Sequence, residues 1–106
     1  MGCRVDISPG YEQRFDLAVG WRMTYYGANS AQRLLEAQER AEMLLSTTPL
    51  MGALVDGDSE LSASEDLRWI MVDAYVAIYR PHLGEGVIVL EDLFHSFEDW
   101  RKHAGN

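Results

Sequence analysis

Three runs rich in strand-forming residues follow one another in the last 40 residues with little but turns between them. They are Leu67-Arg68-Trp69-Ile70-Met71-Val72, Tyr75-Val76-Ala77-Ile78-Tyr79-Arg80 and Val87-Ile88-Val89-Leu90, the last extending toward Phe94. β-Branched and aromatic residues suit a pleated surface. Asp73-Ala74 and Pro81-His82-Leu83-Gly84 leave room only for hairpin turns, so the three runs must pair as an antiparallel meander. Parallel pairing would need crossovers of a dozen or more residues.

Upstream the periodicity changes. Tyr11, Phe15, Ala18 and Val19 recur at helical spacing, and Leu17 and Trp21 extend the apolar arc, which predicts a helix over 11–26 buried on more than one side. Gly27-Ala28-Asn29-Ser30 breaks it, and Asn29 with Gln32 has the form of a capping box opening a second helix. Ala31, Leu34, Leu35, Gln38, Ala41, Leu44 and Leu45 keep its period, Glu36 and Arg40 are placed for an i,i+4 pair, and Pro49 ends it. So short a link makes the two helices an antiparallel hairpin. Before them, Arg4-Val5-Asp6-Ile7-Ser8 alternates as a strand does and stops at Pro9-Gly10. Ser96 to His103 reads as a short terminal helix, with Ser96 and Asp99 as caps.

The expected fold is therefore α+β. An N-terminal strand is followed by an antiparallel two-helix hairpin packed on one face of a twisted, mainly antiparallel four-stranded sheet, whose other face is left for a partner or substrate. At 106 residues the chain fits one domain, 1–106, able to bury a core.

Composition narrows the function. The net charge of −8 repels nucleic acid at long range and favours a protein target or a positively charged partner. No apolar run approaches the roughly 18 residues needed to cross a bilayer, and no secretory signal is visible, so a soluble cytoplasmic protein is expected. Cys3 is the single cysteine, which suits a reducing compartment. The acidic stretch from Asp56 to Asp66 is not a calcium loop, because the sixth place from Asp56 is Leu61, where Gly is needed, and the twelfth is Leu67, where Glu is needed. His82, His95 and His103 have no zinc-ligand spacing. No metal or cofactor is expected.

Leu67-Arg68, then Tyr75-Val76-Ala77-Ile78-Tyr79-Arg80, then Leu93-Phe94-His95 with Asp99-Trp100 stand in an order that resembles the RelE/ParE toxin superfamily; Asp16-Leu17, Pro49 and Met51-Gly52 fit the same pattern. The resemblance implies the toxin of a bacterial type II toxin-antitoxin system of the plasmid-stabilisation kind, which inhibits growth and is neutralised by a cognate antitoxin that wraps it. It does not imply direct DNA binding by this chain alone. The family divides into ParE-like poisons of DNA gyrase and RelE-like ribosome-dependent mRNA endoribonucleases. A nuclease needs groups to move protons and cations to stabilise charge on phosphorus. Here only His95, Arg80 and Arg68, with Tyr79 as a hydrogen-bond donor, offer that chemistry. The Arg that RelE-like enzymes place after the first Tyr of the third strand is Val76, and Trp69, Ile70, Ser96, Phe97 and Glu98 stand where basic residues are usual. The ParE-like reading is preferred on that ground. A RelE-like nuclease and a degenerate, non-toxic homologue are the alternatives.

Each candidate also has an ordinary structural role open to it. Tyr75 and Tyr79 share a strand face and suit core packing; Arg68 suits an ion pair in so acidic a chain; Arg80 suits the Pro81 turn. Trp21, Trp69 and Trp100 suit the core or a partner, and Phe94, Phe97 and Trp100 form a candidate antitoxin patch.

Overall fold

A computed structural model describes residues 2–55 and 66–95. Strand β1 (Arg4–Ile7) leads into helix α1 (Pro9–Tyr26), helix α2 (Ala28–Thr47) and strands β2 (Ala53–Leu54), β3 (Arg68–Val72), β4 (Tyr75–His82) and β5 (Val87–His95). The sheet runs β1-β5-β4-β3-β2, with β1 parallel to β5 and every other pairing antiparallel. The meander of the last three strands stands as its sequence requires. The expected four strands become five because β2, with only two paired residues, is too short to carry an alternation. The expected terminal helix Ser96–His103 lies outside the described residues, as do Phe97, Trp100 and all of the acidic stretch except Asp66.

Ser8 caps α1 by accepting the Tyr11 N–H, and Pro9 opens the helix, where its missing N–H costs nothing. Gly27 alone links the two helices. Its φ of 91° suits a residue without a Cβ, and its N–H closes α1 on the Arg22 carbonyl. The predicted Asn29–Gln32 capping box is not formed: α2 begins earlier, with Gly27 at its N-cap and no side-chain cap. Gln32 instead donates to Glu36, in place of the expected Glu36–Arg40 pair.

The core lies between the helices and one sheet face. Tyr11, Ala18, Leu34, Ala37, Ala41 and Leu45 meet Val72, Ala77, Tyr79, Ile88, Leu90 and Leu93. Leu90 and Leu93, three apart, can both face the helices because the β4–β5 register shifts between Ile78 and Tyr79: Ile78 pairs with Asp92 and Tyr79 with Leu90, so Glu91 is an extra residue. The bulge re-phases the strand. Two expectations about faces are corrected. The far side of the sheet is not left open, because Val76, Ile78 and Phe94 form a second buried cluster there, with Val55, Leu67 and Trp69 against it. Nor is α1 buried on several sides; Leu17 is 68% exposed and Trp21 54%.

Candidate functional site

The four residues singled out for chemistry fall into three places. Arg68 and Tyr79 are register partners on β3 and β4 and act on the same short segment. The Tyr79 hydroxyl accepts the Gly52 N–H at 2.8 Å and donates to the Pro49 carbonyl at 2.9 Å, while Arg68 Nη1 donates to the Leu50 and Gly52 carbonyls at 3.1 and 2.7 Å. Both are buried. Burial pushes the Tyr79 hydroxyl above its ordinary pKa, against the pull of the Gly52 hydrogen bond and the Arg68 charge. These side chains clasp residues 49–52 as the chain leaves α2 for β2. A Cβ on Gly52 would meet the Trp69 carbonyl and the Tyr79 ring at 2.7 Å, so the clasp closes only around glycine.

Arg80 follows Tyr79 and therefore emerges on the other face of the sheet, where its Nε meets Glu91, the bulge residue, at 3.1 Å. His95 stands at the end of β5 opposite Tyr75, the two rings edge to face at 5.3 Å. Tyr79 is four residues farther along β4, roughly 13 Å at the rise of a strand. Arg68 and Tyr79 come together, and Arg80 and His95 do not join them.

His95 belongs to a different neighbourhood. With Tyr75 and Leu93 it lines a groove of about 570 Å³ against α1, whose other wall is Gln13, Arg14, Leu17, Ala18 and Trp21. Arg14 crosses the rim, its guanidinium 4.6 Å from the Phe94 ring centre and 3.3 Å from Asp92. Leu17, Trp21 and Tyr25 continue as an exposed stripe at i, i+4 and i+8, with the Trp21 and Tyr25 rings 4.1 Å apart. The stripe of α1 formed by Gln13, Arg14, Leu17, Gly20, Trp21, Thr24 and Tyr25 carries no acid in a chain with 17 of them; the exposed Glu12 and Asp16 stand beside it. A largely apolar strip without acids, its Arg14 paired with Asp92, is the kind of patch that contact surfaces show on an acidic molecule.

An electrostatic clamp that the sequence did not suggest closes the far end of α1. Arg22 pairs with Asp73 in the β3–β4 turn, donates to the Ser30 carbonyl, and lies over the Tyr75 ring at 5.6 Å. Its hydrogen bond from Arg22 holds the Asp73 carboxyl below its ordinary pKa. Asp73 has a φ of 54°, and its side chain also accepts the Ala74 N–H, a local bond that helps Asp tolerate the left-handed region. The one signal in the sequence is an Asp in a two-residue hairpin turn; its partner stands 51 residues earlier.

No family model and no curated protein sequence matches the chain. Its structure is similar to that of a chain of the chromosomal ParDE TA system from P. aeruginosa, with a TM-score of 0.64 and 14% identity over 88% of this chain and 95% of that one. The fold is RelE/ParE-like. Within it the β4 motif Tyr75-Val76-Ala77-Ile78-Tyr79-Arg80 serves three ends: Tyr75 a groove wall, Tyr79 a clasp, Arg80 an ion pair on the opposite face. Among the described residues no helix is long and apolar enough to cross a membrane, and no group of three metal-ligating side chains occurs.

Proposed function

We propose that the chain is the toxin of a toxin-antitoxin pair and that it acts by binding a protein target, DNA gyrase being the target of the ParE branch it resembles. The observation that carries this reading is the dispersal of the candidate catalytic groups. Acid-base catalysis needs its groups within hydrogen-bond reach of one reacting centre. The Tyr79 hydroxyl and Arg68 Nη1 are engaged by residues 49–52, and Arg80 is on the other face from them. The charge of −8 opposes approach to RNA and is no handicap toward a protein. The likeness to a ParDE chain supports a cognate antitoxin, and the acid-free strip of α1 offers it an anchoring surface. A cytoplasmic site of action follows from this role.

The second reading, a ribosome-dependent endonuclease, draws on His95, which lines a groove with Tyr75 beside Arg14. Two assays on purified protein separate the readings. Under the protein-target reading, the chain inhibits supercoiling by gyrase and yields no new mRNA ends with translating ribosomes. His95→Ala then leaves the inhibition unchanged. New mRNA ends that disappear with His95→Ala overturn it in favour of the nuclease.

A further inference from the structure

The single-residue link between the helices gathers donor groups around one small cavity. Arg22 and Tyr26 come from the end of α1, Ser30 and Arg33 from the start of α2, and Asp73 from the β3–β4 turn; together they line a polar hollow of about 290 Å³. It shares no residue with the groove beside His95 or with the clasp around residues 49–52. Every lining side chain except Asp73 carries a hydrogen-bond donor, and two of them are permanent cations. Asp73 is taken up by Arg22. Arg33 adds to the field that keeps Asp73 ionised, yet it is exposed and among the described residues forms no ion pair of its own. The hollow therefore holds one positive charge in excess.

Ser30 shows where a ligand would sit. It is only 7% exposed, and its carbonyl is engaged by Arg22 Nη1. Its hydroxyl makes no hydrogen bond among the described residues, which is costly so deep in a protein. The oxygen is not sealed in by its neighbours, so the direction left to it is the hollow that Ser30 lines. Ser30 also belongs to the opening turn of α2, a helix of 20 residues whose N-cap, Gly27, has no side chain to receive the first N–H groups. Those groups have no carbonyl a turn before them in their own helix, and the helix dipole makes that end partly positive.

Hydroxyl, amide and guanidinium donors around one space are the complement of a tetrahedral oxyanion. A phosphoryl group brings three acceptor oxygens and nearly two negative charges at neutral pH. The net charge of −8 does not forbid a small anion, because distant carboxylates are screened over about 8 Å at physiological ionic strength.

We infer that the elbow between α1 and α2 binds a phosphoryl group, either free phosphate or the end of a small phosphomonoester. The Ser30 hydroxyl and the first N–H groups of α2 take its oxygens, Arg33 closes over it, and the exposed Tyr26 ring stands at the rim beside whatever the phosphoryl group carries. The site goes beyond the toxin reading and stands whether or not the chain is toxic.

The isotope-labelled full chain is titrated with inorganic phosphate and, separately, with AMP, sodium chloride at matched ionic strength being the control. Saturable shifts of the Ala28, Asn29 and Ser30 amides and of the Arg33 Nε–H are expected at millimolar ligand and not with chloride. Tighter binding of AMP than of phosphate assigns the site to a phosphomonoester, and the reverse assigns it to the free ion. Ser30→Ala removes a hydroxyl that nothing in the fold uses, so it should keep the wild-type melting temperature and weaken phosphate about two- to tenfold. The exposed Arg33→Gln should weaken it about fivefold or more. Arg40→Gln, seven residues on and roughly 10 Å along the helix, should change it by less than about twofold. Absence of these shifts with both ligands overturns the proposal, as does their reproduction by chloride. So does Ser30→Ala binding phosphate as the wild type does, or Arg40→Gln costing as much as Arg33→Gln, which would mean diffuse attraction to the helix surface and no site.

Discussion

Replacing Tyr79 by Phe removes one oxygen and changes no apolar contact, and its consequence separates a structural tyrosine from a catalytic one. The hydroxyl makes two hydrogen bonds at ordinary lengths, from Gly52 N–H and to Pro49 C=O. Each neutral bond contributes about 1 kcal/mol net, and a buried N–H left without a partner costs about 1–3 kcal/mol. Since Gly52 is buried, the loss should total about 2–4 kcal/mol. In a domain of this size each kcal/mol moves Tm by about 4–8 °C, so a fall of about 10–25 °C is expected in thermal denaturation followed by circular dichroism. The exposed Tyr25→Phe is the control and should stay within about 0.5 kcal/mol. Alkaline pH gives an independent check. Burial raises the folded pKa of Tyr79 above its unfolded value near 10, so this contribution is complete below pH 10 and is lost as pH rises through the folded value. The wild type should show that loss in excess of Tyr79→Phe. A Tyr79→Phe protein as stable as the wild type would refute the clasp.

Gly52→Ala places a methyl group at 2.7 Å from the Trp69 carbonyl and the Tyr79 ring and should cost about 1–3 kcal/mol; combined with Tyr79→Phe the losses should fall short of additive, read by urea denaturation. Arg68→Met leaves the Leu50 and Gly52 carbonyls without their donor and should cost about 2–4 kcal/mol in the same assay. Asp73→Asn removes the charge facing Arg22. Because the folded pKa of Asp73 is lowered, the wild-type advantage should be full above the unfolded pKa near 3.8 and vanish as pH falls through the folded value. An advantage constant across acid pH would contradict the ion pair. Leu17→Ser with Trp21→Ser, both exposed, should leave stability within about 0.5 kcal/mol per site and weaken antitoxin capture at least tenfold in a titration.

The element order was legible because each stretch carries one clear period. Strand runs separated by turns allow only a meander, and a break as short as Gly27-Ala28-Asn29-Ser30 between two helices allows only a hairpin. The rest was hidden for particular reasons. Two paired residues, Ala53 and Leu54, show no alternation, so β2 was invisible. The bulge at Glu91 depends on the facing strand, which no local pattern reports. Leu17 and Trp21 have the composition of core residues and nothing in α1 alone says that they face water; their exposure belongs to the packing of α1 against α2 and β5. The candidate site fared similarly. Arg68, Tyr79, Arg80 and His95 have the residue types a nuclease needs, yet strand alternation already separates Tyr79 from Arg80. What the four touch became visible only with residues 49–52 and Glu91 in place.

The most direct test is growth of a bacterial culture in which the chain is induced alone and then together with the neighbouring reading frame, where a toxin-antitoxin pair would encode the cognate antitoxin. Arrest on induction, relieved by the neighbour and undiminished by His95→Ala, is the predicted result. Undisturbed growth, or arrest that His95→Ala abolishes, would contradict it.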